Sequence, residues 1–123
     1  MDISILVPFY NEEGNIKDLY DEIIEVMDKT GKTYEMVFVD DGSTDRTGEI
    51  LGEISEGDDR VVPIHFIRNF GQTAAFRAAV ENAFGDIRIG MDGDRQNDPH
   101  DIPAMLEKTE EGYDVVSGWR RER

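Results

Sequence analysis

"YEMVFVDDGSTD", residues 34–45, is a largely apolar run that turns acidic at a single step. Residues 34–39 form a strand, and Ser43 or Thr44 caps the helix that follows. Thr47, Ile50, Leu51 and Ile54 recur at helical spacing as its buried stripe. The stretch therefore carries the chain from a strand, through a cluster of carboxylates, into a helix.

The same unit repeats outward in both directions. Upstream, 3–7 is a continuous apolar run that ends at Pro8, as expected of a strand covered on both faces. From Glu12 the period becomes helical, with Ile16, Leu19, Tyr20, Ile23, Ile24 and Met27 in phase, Asn11 as N-cap and Gly31 as terminator. Downstream come a strand at 61–67, an alanine-rich helix at 71–84 closed by Gly85, and a strand at 87–91. A helix at 99–111, interrupted or restarted near Pro103, precedes a last strand at 113–117. Strands alternating with helices through short connections imply right-handed crossovers. The expected architecture is α/β: a Rossmann-like, mostly parallel sheet with helices on both faces, in one domain over 1–123.

Composition narrows the function. The 123 residues carry 28 acidic and 13 basic side chains, a net charge of −15. That excess argues against nucleic acid or an anionic membrane surface as partner, and requires a metal or an arginine cluster before a phosphate can approach. Abundant acid with little lysine is also the balance expected of proteins adapted to high salt. Cysteine is absent, which excludes disulfides, a thiolate nucleophile and a cysteine zinc site, and His65 and His100 lie far apart in sequence. The chain starts directly in a strand pattern, and no run approaches the roughly 18 apolar residues of a membrane span. The expected location is cytoplasmic.

In an open parallel sheet, ligands bind beyond the carboxyl ends of the strands, near the point where strand order reverses. The strands here are followed by Pro8-Phe9-Tyr10-Asn11-Glu12, Asp40-Asp41-Gly42-Ser43-Thr44-Asp45, Arg68-Asn69-Phe70-Gly71-Gln72, Asp92-Gly93-Asp94-Arg95-Gln96 and Gly118-Trp119-Arg120. All five sets belong on one rim. Two carboxylates about 5 Å apart repel by roughly 3 kcal/mol at an effective dielectric near 20. Asp40, Asp41, Asp92 and Asp94 gathered there must be protonated, paired with arginine or bridged by a cation. Oxygen donors without histidine or cysteine suit Mg2+ or Mn2+, whose open positions take diphosphate oxygens. A lone Asp-x-Asp, an acidic helix cap or an arginine tail at 120–123 is ordinarily a solvated surface feature. Their occurrence at successive strand ends favours a site, and Gly42, Gly71 and Gly93 let backbone approach a ligand closely.

Five segments, "VPFYNEE", "VDDGSTD", "RNFGQTAA", "MDGDRQNDP" and "VVSGWR", together resemble the nucleotide-binding half of family 2 glycosyltransferases of the GT-A fold. Within that family they are most similar to polyprenyl- and dolichyl-phosphate sugar transferases. The resemblance implies that Pro8, Tyr10 and Glu12 shape the nucleoside pocket and that Asp41, flanked by Asp40 and Val39, meets the base. It places Asp92 near the ribose, with Gly93 between the two aspartates, and Asp94 on the Mg2+ or Mn2+ that holds the diphosphate. Gln96 and Asp92 are further candidate metal ligands, and Arg120 matches a basic residue near the donor phosphates. Gly93 and Arg95 depart from the family's alanine and apolar residue, and imply a looser loop with an added cation.

The resemblance further implies an inverting transfer from a UDP- or GDP-linked sugar to an acceptor, polyprenyl phosphate in this branch. The acceptor pocket and the general base are expected beyond Arg123, in a parent associated with the cytoplasmic face of a membrane. The chain by itself is expected to bind donor with little or no turnover, and to self-associate through an exposed sheet edge. Two other classes stay open: a Mg2+-binding receiver-like signalling domain, which wants its acidic pair after the first strand, and a nucleotidyltransferase, which wants a glycine-rich basic loop there.

Overall fold

Side-chain alternation along the central strand sets the layers of the molecule. The computed structural model describes residues 1–93, 98–109 and 115–117. In β1 (Ile3–Phe9), Ile3, Ile5, Val7 and Phe9 join one buried cluster while Leu6 joins another, so both faces of the strand are covered. β2 (Tyr34–Asp40) is buried along its full length in the same way. β3 (Val61–His65), β4 (Ile87–Gly90) and β5 (Val115–Ser117) complete a five-stranded sheet in the order β3-β2-β1-β4-β5. Every strand pair is parallel, which confirms the α/β expectation.

One face carries α1 (Ile16–Asp28), α2 (Thr47–Gly57) and α4 (Ile102–Thr109), through Ile16, Leu19, Ile23, Leu51, Ile102 and Leu106. The other carries α3 (Gln72–Glu81), whose Ala75 and Ala79 let it lie close against Leu6, Val37 and Val39. A fully buried leucine or isoleucine contributes about 1.5–3 kcal/mol, so the stripe read from the sequence in α1 is the main reason that helix forms where it does. In α2, Thr47 and Leu51 are buried, and Ile50 and Ile54 pack half-buried against the core.

The order 3-2-1-4-5 reverses between β1 and β4, and this separates the candidate classes. A receiver-like domain has the order 2-1-3-4-5; the observed order is that of the first five strands of a 3-2-1-4-5-6 nucleotide-binding sheet.

Several boundaries differ from the sequence reading for identifiable reasons. Pro8 does not end β1, because the ladder to β4 has already stopped at Leu6–Gly90 and the missing N–H disrupts no strand pairing there. Pro63 is tolerated in β3 because β3 is an edge strand. The fourth helix begins as a 3-10 turn, Pro99–Asp101, in which the Asp98 side chain caps the His100 amide, and becomes α-helical at Ile102. Asn11 does not cap α1, which starts five residues later at Ile16 after the N-cap Asn15. Neither Ser43 nor Thr44 is the N-cap of α2, where Arg46 stands in that place.

Candidate functional site

Asn11 is drawn away from α1 by contacts across the rim. It adopts φ 52, and its Oδ1 accepts from the amides of Thr44 (2.8 Å) and Asp45 (3.3 Å) while its own amide donates to Ser43 Oγ (2.9 Å). The Glu12 amide donates to Thr47 Oγ1, and the Glu13 amide to Asp45 Oδ2. Thr47 in turn donates to Asp45 Oδ1 through both its amide and its hydroxyl. The loops after β1 and β2 are thus laced together over residues more than thirty apart in sequence. Burial pushes the Asp45 carboxyl upward, but the Thr47 and Glu13 bonds outweigh it and hold the group below the usual carboxylate range.

Beyond the strand ends, at the reversal between β1 and β4, lies an open cleft of about 400 Å³. Pro8, Phe9, Tyr10 and Glu12 supply its β1 wall and Asp41 its β2 wall. Asn69, Gly71 and Gln72 line it from the loop before α3, and Asp92 and Gly93 from the end of β4. Tyr10 is 45% exposed and offers an aromatic surface to the opening, whereas Asp41 and Asp92 are 4% and 8% exposed.

The buried carboxylates are satisfied in a way the sequence reading did not weigh. It allowed protonation, arginine or a cation; the structure supplies amide donors. Asp41 Oδ1 accepts from the Phe70 amide (2.8 Å), and its Oδ2 from Gly71 N (3.1 Å) and Asn69 Nδ2 (3.0 Å). Gly42 makes that approach possible: at φ +69, a Cβ there would lie 2.0 Å from the Arg68 carbonyl carbon. Asp92 Oδ1 accepts from Gln72 Nε2 at 2.7 Å. Asp40 turns the other way, its Oδ1 accepting from the Ser43 amide and its Oδ2 lying 3.5 Å from His65 Nδ1, beneath Gly48 of α2.

Six of the residues singled out in the sequence, Pro8, Tyr10, Glu12, Asp41, Asp92 and Gly93, therefore share one cleft. Val39 and Asp40 do not line it: Val39 packs under α3 and Asp40 pairs with His65. Asp94, Gln96 and Arg120 lie outside the described residues. Gly93 itself is crowded: it is buried, and a Cβ there would stand 2.6 Å from the Pro8 carbonyl oxygen and 2.5 Å from the Phe9 ring, so glycine there marks close packing of the segment after β4 on β1. Arg95, the other member of the looser-loop expectation, lies outside the described residues. Gly71, named from sequence as a point of close backbone approach, also lines the cleft, whereas Phe9, Asn69 and Gln72 were not selected from sequence. The position of 68–72 after the third strand was the available signal, but nothing in its composition named Asn69 or Gln72.

Comparison with known proteins agrees with this geometry. The family model for glycosyl transferase family 2 matches residues 4–123. An undecaprenyl-phosphate 4-deoxy-4-formamido-L-arabinose transferase of Edwardsiella ictaluri is 42% identical over 122 residues, 98% of this chain and 38% of the relative. An uncharacterized glycosyltransferase of Bacillus subtilis, YkcC, is 48% identical over 120 residues, 98% of this chain and 37% of the relative. The chain thus spans a little over a third of the length of these curated relatives. Among solved structures, S. aureus TarS 1-349 in complex with UDP-GlcNAc superimposes with a TM-score of 0.73 at 25% identity, over 90% of this chain and 32% of that one. The mannosyltransferase PcManGT from Pyrobaculum calidifontis, in complex with GDP-Man and Mn2+, gives 0.70 at 28% identity, over 86% and 31%. With the sheet order, the cleft and a family match over nearly its whole length in agreement, the chain belongs to glycosyl transferase family 2, with the GT-A fold.

Proposed function

We propose that the cleft receives the nucleoside diphosphate of a sugar donor, and that the longer protein transfers the sugar, with inversion, to a polyprenyl phosphate. The observation that carries this reading is the convergence of Asp41 and Asp92 on one open cleft at the reversal of strand order. The base lies against the Pro8, Tyr10 and Asp41 wall, and the ribose near Asp92. UDP-GlcNAc and GDP-Man in the solved neighbours support a nucleotide sugar, and the undecaprenyl-phosphate transferases support the acceptor class.

A chain with net charge −15 needs a cation before a diphosphate can settle among its carboxylates. The oxygen donors of Asp92, Asp94 and Gln96 fit Mg2+ or Mn2+, and Asp92 already lines the cleft. Among the described residues, no group of three histidine, aspartate or glutamate side chains forms a metal cluster. Such an ion, when bound, neutralises charge that builds on the departing diphosphate. This chain's residues hold the nucleoside and orient the diphosphate, and the general base for the acceptor is proposed to come from the part of the relatives' length that this chain does not span. Among the described residues no helix is long and apolar enough to cross a membrane, and we place the longer protein at the cytoplasmic face through its lipid-linked acceptor. The outer edge of β5, the last strand in the sheet order among the described residues, is the proposed route to self-association.

A thermal-shift panel of UDP, GDP and their sugars, with and without Mn2+, tests the reading. A ligand at about a hundred times its Kd stabilises by roughly 2.7 kcal/mol, and the stabilisation is expected only when metal is present. Asp94→Ala is expected to abolish it. Equal stabilisation of that variant, or no nucleotide response in any arm, contradicts the assignment.

A further inference from the structure

Four consecutive residues, 69–72, reach both acidic walls of the cleft. Asn69 Nδ2 and the amides of Phe70 and Gly71 donate to Asp41, and one residue later Gln72 Nε2 donates to Asp92 Oδ1 at 2.7 Å. Gln72 is the first residue of α3, and α3 is fixed against β1 and β2 through Ala75 and Ala79. Its side chain therefore projects from a rigid base whose start is set by Asp41. Asp92 follows the end of β4 and is buried at the cleft beside Gly93, whose backbone packs against Pro8 and Phe9. The bond from Gln72 Nε2 favours one orientation of that carboxylate, and a bond to an ionised acceptor is roughly twice as strong as a neutral one.

We propose that Gln72 is a positioning residue for Asp92: it favours the rotamer in which Asp92 lines the cleft, and the 69–72 segment thereby couples the base wall at Asp41 to the ribose wall at Asp92. The proposal deepens the nucleotide-sugar reading and rests on it. Gln72 touches the cleft but acts through Asp92, in the manner of groups that orient metal and phosphate ligands, whose loss typically costs 10–100-fold in affinity. Gln72 is exposed and contributes little burial, so what its removal takes from stability is confined to the bond with Asp92.

The test is calorimetric titration of UDP and GDP in the presence of Mn2+, alongside the melting temperature of each variant. Gln72→Ala is expected to weaken the better of the two nucleotides about tenfold while the variant still melts cooperatively, well above the titration temperature. Gln72→Glu keeps the shape but sets a carboxylate against Asp92, and is expected to weaken binding further. Gln72→Lys restores a donor of similar reach and is expected to stay within about threefold of the wild type. Glu and Lys also change the charge that the diphosphate meets in the cleft, so the charge-neutral Ala variant carries the decision. Wild-type affinity in the Ala variant overturns the positioning role and leaves the nucleotide reading standing; a wild-type chain that binds neither nucleotide overturns both.

Discussion

Two carboxylates at opposite ends of β2 are equally buried yet differ in what lies beside them. Glu35 and Asp41 are each 4% exposed. Glu35 Oε2 accepts from Ser4 Oγ and from the Phe84 amide, both at 2.6 Å, and Ser4 Oγ accepts from Gly85 N. Asp41 accepts from Asn69, Phe70 and Gly71. One group thus pins the turn after α3 and the other pins the loop before it, so that α3 is held at both ends from the same strand. The packing there is close: a Cβ on Gly85 would fall 2.5 Å from the Ser4 amide. The difference is that Asp41 borders an open cleft and Glu35 does not line it. Buried carboxylates that both anchor α3 thus face the packed interior at one end of the strand and an open cleft at the other.

The most severe way to break this symmetry is Asp41→Ala. It strands the amides of Phe70 and Gly71, at a cost of roughly 2–4 kcal/mol by denaturant unfolding, and also removes nucleotide binding. Glu35→Ala is expected to cost a similar roughly 2–4 kcal/mol, since Ser4 Oγ and the Phe84 amide lose a buried acceptor, while the folded variant keeps wild-type nucleotide affinity. Loss of affinity in both variants, measured by calorimetry well below their midpoints, would dissolve the distinction between the two ends.

A third carboxylate gives the smallest effect. Arg60 bonds Asp58 at 2.9 Å, Tyr20 donates to it at 2.6 Å, and together they lower its pKa to about 2. Burial first, and the same bond second, push the Tyr20 hydroxyl up to about 12. Because the folded value of Asp58 lies below the unfolded one, its contribution is complete above about pH 4 and disappears as pH falls toward 2. Arg60 is 40% exposed, so solvent screening limits the contribution to about 1 kcal/mol. Urea midpoints measured between pH 5 and 2, for wild type and Asp58→Asn, read it directly.

The layers of this fold were legible because they follow from local periodicity. Ile16, Leu19, Ile23 and Met27 repeat at helical spacing and are buried; the apolar runs at 3–7 and 34–39 occupy the two fully covered strands. Legibility stopped where a residue's partner lies far along the chain. Asn11 has the composition and position of an N-cap, yet amides 33 and 34 residues away hold it instead. Asp40 and Asp41 are adjacent in sequence, but strand alternation turns one toward His65 and leaves the other at the cleft. Gly93 read as freedom and is in fact crowding, because only the fold brings Pro8 and Phe9 against it. Gln72 carries no mark in the sequence of its bond to Asp92, twenty positions on.

A backbone amide NMR titration with UDP and GDP in the presence of Mg2+ reaches the central claim most directly. Resonances of residues 9–12, 41–42, 69–72 and 92–93 are expected to shift together along one binding curve, with those of Ser4, Glu35 and Phe84 unmoved. Shifts confined to one wall of the cleft, or larger at the Glu35 end of the sheet, would contradict a single nucleotide site built across the reversal of strand order.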